Sequence, residues 1–169
     1  MTGERAIIGI DPGLGGALAR YWPATQALQI ADMPTLNIGK GKSNKRAIDE
    51  YALARLIDDW APTASCVWLE LVGVRPGEGG VGAFTFGKGY GLLRGICAAN
   101  FLTIHDVTPQ SWKKTLRVAG DKDQARQRAS ALFPRHAQHW NLKKHDGRAE
   151  AAMIALYGSG RAETLRAAA

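Results

Sequence analysis

Ile7-Ile8-Gly9-Ile10-Asp11-Pro12-Gly13 is an apolar run that ends in an acid and then a turn. Residues 5–10 are nearly all apolar and alternate poorly, which predicts a strand buried on both faces. The Asp11 to Gly16 stretch, DPGLGG, predicts a turn. Residues 16–22 and 28–33 then predict second and third strands, at a spacing that suits an antiparallel meander. Two further stretches repeat the placing of an acid. Val67-Trp68-Leu69-Glu70 ends a second buried strand, predicted over 66–72, and His145-Asp146-Gly147-Arg148-Ala149-Glu150 puts two acids four apart at the start of a predicted helix. A carboxylate beside an apolar run is costly unless it is paired or bound to a cation. Three such sites that can converge on one sheet predict a carboxylate cluster holding divalent metal.

Outward from these stretches, residues 34–46 predict a loop rich in Gly, Lys and Asn. A helix is expected over 48–60, with Ile48, Tyr51, Ala52, Leu56 and Ile57 at helical spacing, stopped by Pro62. Residues 73–80 carry too much glycine for a regular element. A helix over 83–100 follows, with Gly87, Gly91 and Gly95 four apart on one face, a stripe suited either to packing on the sheet or to a subunit contact. A strand over 102–107 comes next, then helices over roughly 109–116 and 121–133. The last helix, about 146–157, buries Ala149, Ala152, Met153 and Leu156, and Gly158 and Gly160 are expected to end it. The order β-β-β-α-β-α-β-α builds an α/β domain: a five-stranded mixed sheet, three strands antiparallel and two parallel, flanked by helices. One domain is expected over 1–160, with a short tail over 161–169.

At 169 residues with 46% apolar composition the chain can bury a sizeable core. Its apolar runs fall short of the ~20 residues a membrane span needs, and no charged-then-apolar leader opens it, so the expected location is the cytoplasm. Cys66 and Cys97 lack metal-site spacing and are expected to be reduced core thiols. The net charge of +7 is concentrated: residues 107–148 hold ten Lys or Arg against three Asp, an excess equal to that of the whole chain. Lys40, Lys42, Lys45 and Arg46 form a second basic cluster. Such charge is either a solvated surface or a polyanion-binding one, and beside an acid cluster nucleic acid is the better explanation.

If the first and fourth strands are adjacent and parallel, Asp11 and Glu70 leave the sheet at the same end, at a switch point where ligands commonly bind. Spacing of four keeps Asp146 and Glu150 on one helix face. Four such ligands suit Mg²⁺ or Mn²⁺, with two ions ~4 Å apart serving in-line displacement at a phosphodiester. Structural roles also stand open: Asp11 can begin a turn, Asp146 can cap a helix, and Glu150 can pair with Arg148 or a lysine. Glu70 has no charged neighbour in sequence.

With these residues in place, the chain resembles a RuvC-type Holliday junction resolvase of the RNase H-like superfamily. The matching stretches are Ile8 to Gly13, Trp68-Leu69-Glu70, the run FGKGYGLLRG from Phe86 to Gly95, Thr108-Pro109 through Lys113, Gly120-Asp121-Lys122-Asp123-Gln124, and the helix from Asp146 to Leu156. Arg75-Pro76-Gly77 and the Phe-Gly-x-Gly-Tyr-Gly run are similar to resolvases of bacteriophage type. The resemblance implies a homodimer that resolves four-way junctions by paired metal-dependent nicks, leaving 5′-phosphate and 3′-hydroxyl ends, and it leaves room for branch-migration proteins as partners. It implies that Asp11, Glu70, Asp146 and Glu150 are the metal-binding, catalytic acids. Lys113 and Lys122 occupy the places of two basic residues near the cut, Lys122 with a catalytic part. Lys114, Lys88, Arg126 and Arg75 join them, with Lys40, Lys42 and Lys45, as expected DNA contacts.

The chain also departs from the family's pattern. Many relatives carry the last two acids three apart, both as Asp. His145 precedes the pair here, where some relatives use a histidine. No aromatic wedge follows Glu70; Phe84 or Phe86 can substitute, although a core position is the plainer reading of both. The alternatives are an RNase H-like nuclease acting on flaps, forks or RNA–DNA hybrids, a junction-binding protein without activity, and an actin-like kinase, for which the chain is too short.

Overall fold

The computed structural model describes residues 4–39, 45–73, 77, 79–118 and 120–167. Strands β1 (Ala6–Asp11), β2 (Ala17–Trp22) and β3 (Ala27–Asp32) form the antiparallel meander, and β2 joins β1 through a turn closed by Gly16 N–H on Gly13 O at 2.9 Å. A small hairpin, β4 (Thr35–Asn37) with β5 (Arg46–Ile48), precedes helix α1 (Glu50–Trp60). Then come β6 (Ala64–Glu70), α2 (Gly80–Ala99), β7 (Thr103–Val107), α3 (Pro109–Leu116), α4 (Lys122–Leu132) and α5 (Asp146–Ala167). The sheet order is β3-β2-β1-β6-β7, with β1, β6 and β7 mutually parallel. The fold is therefore the mixed α/β sheet expected from the sequence. No described helix is long and apolar enough to cross a membrane.

Alternation along the central strands sorts the core into two layers. Ile8, Ile10, Val67 and Leu69 face α1 and α2, where they meet Leu53, Ile57, Leu93 and Cys97. Ile7, Cys66 and Trp68 face the other side and pack under α5, with Trp112, Phe133 and Trp140. Cys66 and Cys97 are thus buried in separate layers, and burial pushes Cys97 up to about 11.

Helix α5 lies unusually close to the sheet because its inner face is glycine and alanine. A methyl group on Gly9 would sit 2.3 Å from Ala151 O and 2.4 Å from Ala155 N. A methyl on Gly158 would meet Trp68 Cδ1 at 2.2 Å. Gly158 is therefore a packing residue, and the helix continues through Gly158 and Gly160 to Ala167 where the sequence predicts a stop.

Other expectations are also corrected. Ile48 belongs to β5, and α1 begins two residues later because the Asp49 carboxylate caps it, accepting from Tyr51 N and Ala52 N. Tyr51 is accordingly exposed, not part of the buried face. Part of the segment read as a loop forms the β4–β5 hairpin. Helix α2 starts at Gly80, inside the glycine-rich stretch. Its glycine stripe does not pack on the sheet: methyls on Gly87, Gly91 or Gly95 would have nothing within 4 Å. Phe84 is 75% exposed and Phe86 half-buried, so neither is a core residue.

Candidate metal centre and nucleic-acid cleft

Three elements set the acid positions. The β1–β6 register pairs Ile10 with Leu69, which leaves Asp11 and Glu70 as the next residues on neighbouring parallel strands. Alternation turns both side chains to the α5 face, as it does Ile7, Cys66 and Trp68. Glu150 comes down from the second turn of α5. This approach requires glycine, because a methyl on Gly147 would lie 2.6 Å from Gly15 O and 2.9 Å from Asp11 Oδ2. The result is a group of ligand atoms from Asp11, Glu70 and Glu150 that all lie within 4.8 Å of one another.

The surroundings are lopsided in charge. Glu70 is buried and accepts from Trp112 Nε1 at 2.8 Å, and Lys113 Nζ reaches Glu150 at 3.1 Å. Both partners stand on α3, which begins at the same end of the sheet because Glu70 pairs with Val107 and Thr108 caps the helix behind Pro109. Burial, then the charges of Glu150 and Glu70, push the Asp11 carboxyl up to about 7; the Gly13 N–H and Lys113 oppose this only partly. Three hard oxygen donors held this close, with one of them resisting ionisation, fit a divalent cation, which would relieve the repulsion.

Asp146 lines the same cleft, of about 680 Å³, but stands outside the three-acid group. It is held by cations of α4: Lys122 Nζ at 3.1 Å from Oδ2, and Arg126, which donates to Oδ1. Arg126 also pairs with Asp123 and donates to Lys143 O, so it spans acids where the sequence reading made it a DNA contact. Lys122 is nevertheless largely exposed at the cleft lip. Lys113 lies inside the cleft on Glu150. Lys144, unassigned in the sequence reading beyond its part in the charge count, lines the cleft, while the exposed Lys114 does not.

Lys45 and Lys88 flank a neighbouring apolar pocket. Lys40, Lys42 and Arg75 lie outside the described residues. His145 does not line the cleft. Its buried Nδ1 has no hydrogen-bond partner among the described residues, and burial, then Arg148 and Lys144, hold its pKa down. Arg148 does not pair with Glu150; it grips Asp32 with both arms of its guanidinium at 2.6 Å. The sequence reading missed Trp112, whose only signal was an indole four residues into a helix that starts beside the acid end of the sheet.

No family model matches the chain. A curated relative, the chloroplastic Holliday junction resolvase MOC1 of Chlamydomonas reinhardtii, is 30% identical over 141 residues. That stretch is 80% of this chain but 16% of the relative, so the chain spans about one sixth of its length. Among solved structures, Thermus thermophilus RuvC in complex with a Holliday junction substrate superposes with a TM-score of 0.61 at 15% identity, covering 95% of this chain and 96% of that one. The yeast mitochondrial Holliday junction resolvase Ydc2 gives 0.52 at 15% identity, covering 90% and 76%. Sheet order, the helices on both faces and the extent of these superpositions give this chain the RuvC fold.

Proposed function

We propose that this protein is a RuvC-type resolvase: a homodimeric endonuclease that resolves four-way DNA junctions by paired, metal-dependent nicks with 5′-phosphate and 3′-hydroxyl ends. The observation that carries the reading is the meeting of Asp11, Glu70 and Glu150 within 4.8 Å, beside a cleft whose lip bears Lys122 and Lys144. Mg²⁺ or Mn²⁺ is the fitting cation, two per site once Asp146 contributes. Asp11, Glu70 and Glu150 would hold it, and the chemistry it would supply there is polarisation of a phosphodiester oxygen and a water made more nucleophilic at neutral pH. The chain's own residues do the rest. Trp112 fixes the orientation of Glu70, Lys113 holds Glu150, and Lys122 and Lys144 offer positive charge to the phosphates flanking the cut.

Two cuts on opposite strands need two such sites, and a two-fold dimer is the simplest supply. The exposed face of α2, with Val81, Phe84, Gly87, Gly91 and Gly95, is an apolar surface close enough to the backbone for a second helix.

The test compares a synthetic four-way junction with a matched flap, fork, plain duplex and RNA–DNA hybrid, with Mg²⁺ and with chelator. Paired symmetric nicks confined to the junction are expected. Asp11→Asn and Glu70→Gln should each abolish nicking while leaving junction binding intact, since the loss of a ligand charge weakens metal binding but also lowers repulsion of phosphate. Comparable cutting of flap and fork would make the protein a broader branched-DNA nuclease. Near-normal nicking by either variant would overturn the acid assignment.

A further inference from the structure

A second cavity, of about 450 Å³, lies between the β4–β5 hairpin and the first half of α2. Its walls are Ile48, Val81, Phe86 and Leu92, with Pro12 and Leu14 from the turn that follows Asp11. Its volume is that of a small-molecule site, yet it is joined to the acid cleft: Phe86 lines both, and Pro12 is the next residue after Asp11. The rim is cationic, with Lys45, Arg46 and Lys88 all exposed. Glu50 supplies the lining's carboxylate acceptor.

We propose that this pocket takes one unstacked nucleobase of the bound DNA, from a nucleotide beside the phosphate held at the three acids. The inference rests on the DNA-nuclease reading above. Apolar walls and an aromatic ring suit the flat faces of a base, the cationic rim suits the phosphates on either side of it, and Glu50 can accept from a base edge. A phosphodiester backbone can serve both cavities at once because Phe86 separates them by a single side chain. An apolar peptide would find no use for three rim cations. The open glycine face of α2 adjoins the pocket at Val81 but does not form it: Thr85, Gly89 and Leu92 line the pocket, whereas Gly87, Gly91 and Gly95 do not.

An abasic-site scan tests this. Single abasic nucleotides are placed at each of about three positions on either side of the nicked bond, mapped with the wild-type protein, in four-way junction, flap and fork. Affinity is then measured by fluorescence anisotropy in chelator. Loss of one base should weaken wild-type binding roughly five- to hundredfold at one position. Thr85→Trp and Ala47→Leu fill the cavity from its two walls. In either variant, with its fold verified by circular dichroism, the same abasic site should cost less than twofold.

An undiminished penalty in both folded variants, or no sensitive position in the wild type, would overturn the pocket alone while nicking persists. A filled variant that changes sedimentation but keeps the base sensitivity would assign the pocket to a second copy of the chain and overturn the proposal. A protein that binds none of these DNAs would overturn the nuclease reading as well.

Discussion

Substituting Gly9→Ala adds one methyl group at the point where α5 crosses β1. That methyl would lie 2.3 Å from Ala151 O, 2.4 Å from Ala155 N and 2.9 Å from Ala155 Cα. All three are backbone atoms of a regular helix, so none can swing aside. Opening the contacts to van der Waals distance means moving α5 away from the strand by about 1 Å. Overpacking of this kind costs ~1–3 kcal/mol. The lower chain entropy of the unfolded variant returns ~0.4–1 kcal/mol, leaving a net loss of up to about 2.6 kcal/mol, about 1.3 kcal/mol at the midpoints.

The larger effect falls on the site, because Glu150 rides on α5 while Asp11 stays with β1. A misplacement of ~1 Å costs a reaction of this type about a hundredfold. Urea titration and nicking of a four-way junction, measured on one preparation, read both quantities. Gly160→Ala is the control, since its methyl would meet nothing within 4 Å and relieves the same helix of a glycine. A Gly9→Ala protein with wild-type stability and wild-type metal-dependent nicking would refute the account of how α5 sets the acid spacing.

Asp11 provides a pH signature. Its folded-state pKa, about 7 against an ordinary 3.8, means the folded protein binds the extra proton between those values. Stability without divalent ions should therefore fall as pH rises from about 4 to 7 and level off above, by at most ~4 kcal/mol. Asp11→Asn should flatten that slope in thermal melts, and an unchanged slope would assign the titration elsewhere. Lys122→Ala and Lys144→Ala should each reduce the log–log salt slope of DNA binding by ~0.9, and unchanged slopes would take the cleft lip out of the DNA footprint. Gly91→Leu should fold but sediment as a monomer that nicks one strand at a time; an intact, fully active dimer would exclude this face of α2.

The centre of the sheet was readable from the sequence because β1 and β6 are apolar runs six and seven residues long, each ended by an acid, which leave few other arrangements. The β4–β5 hairpin was not, since Thr35-Leu36-Asn37 and Arg46-Ala47-Ile48 are three residues each, half-exposed, and carry no alternation. Gly158 reads as a helix stop in one dimension and as clearance for Trp68 in three. The acids divide in the same way. Strand ends fixed Asp11 and Glu70, and helical spacing put Asp146 and Glu150 on one face. Nothing local announced that Lys122 and Arg126, on a different helix, would engage Asp146. Phe84 was misplaced because an apolar side chain in a helix was read as buried, although α2 has only one side against the sheet.

The hydrogen bond from Trp112 to Glu70 has an optical consequence. An indole whose N–H points at a carboxylate 2.8 Å away, with no exposure to solvent, sits in that carboxylate's electric field, and its emission colour depends on that field. Any cation that settles on Glu70 changes the field, as does Glu70→Gln. The chain has four other tryptophans, at 22, 60, 68 and 140, none with a hydrogen bond to an acid of the cluster among the described contacts. Trp112 is thus a built-in fluorophore wired to the three-acid group, and a titration with divalent ions in the absence of any DNA is expected to shift its emission.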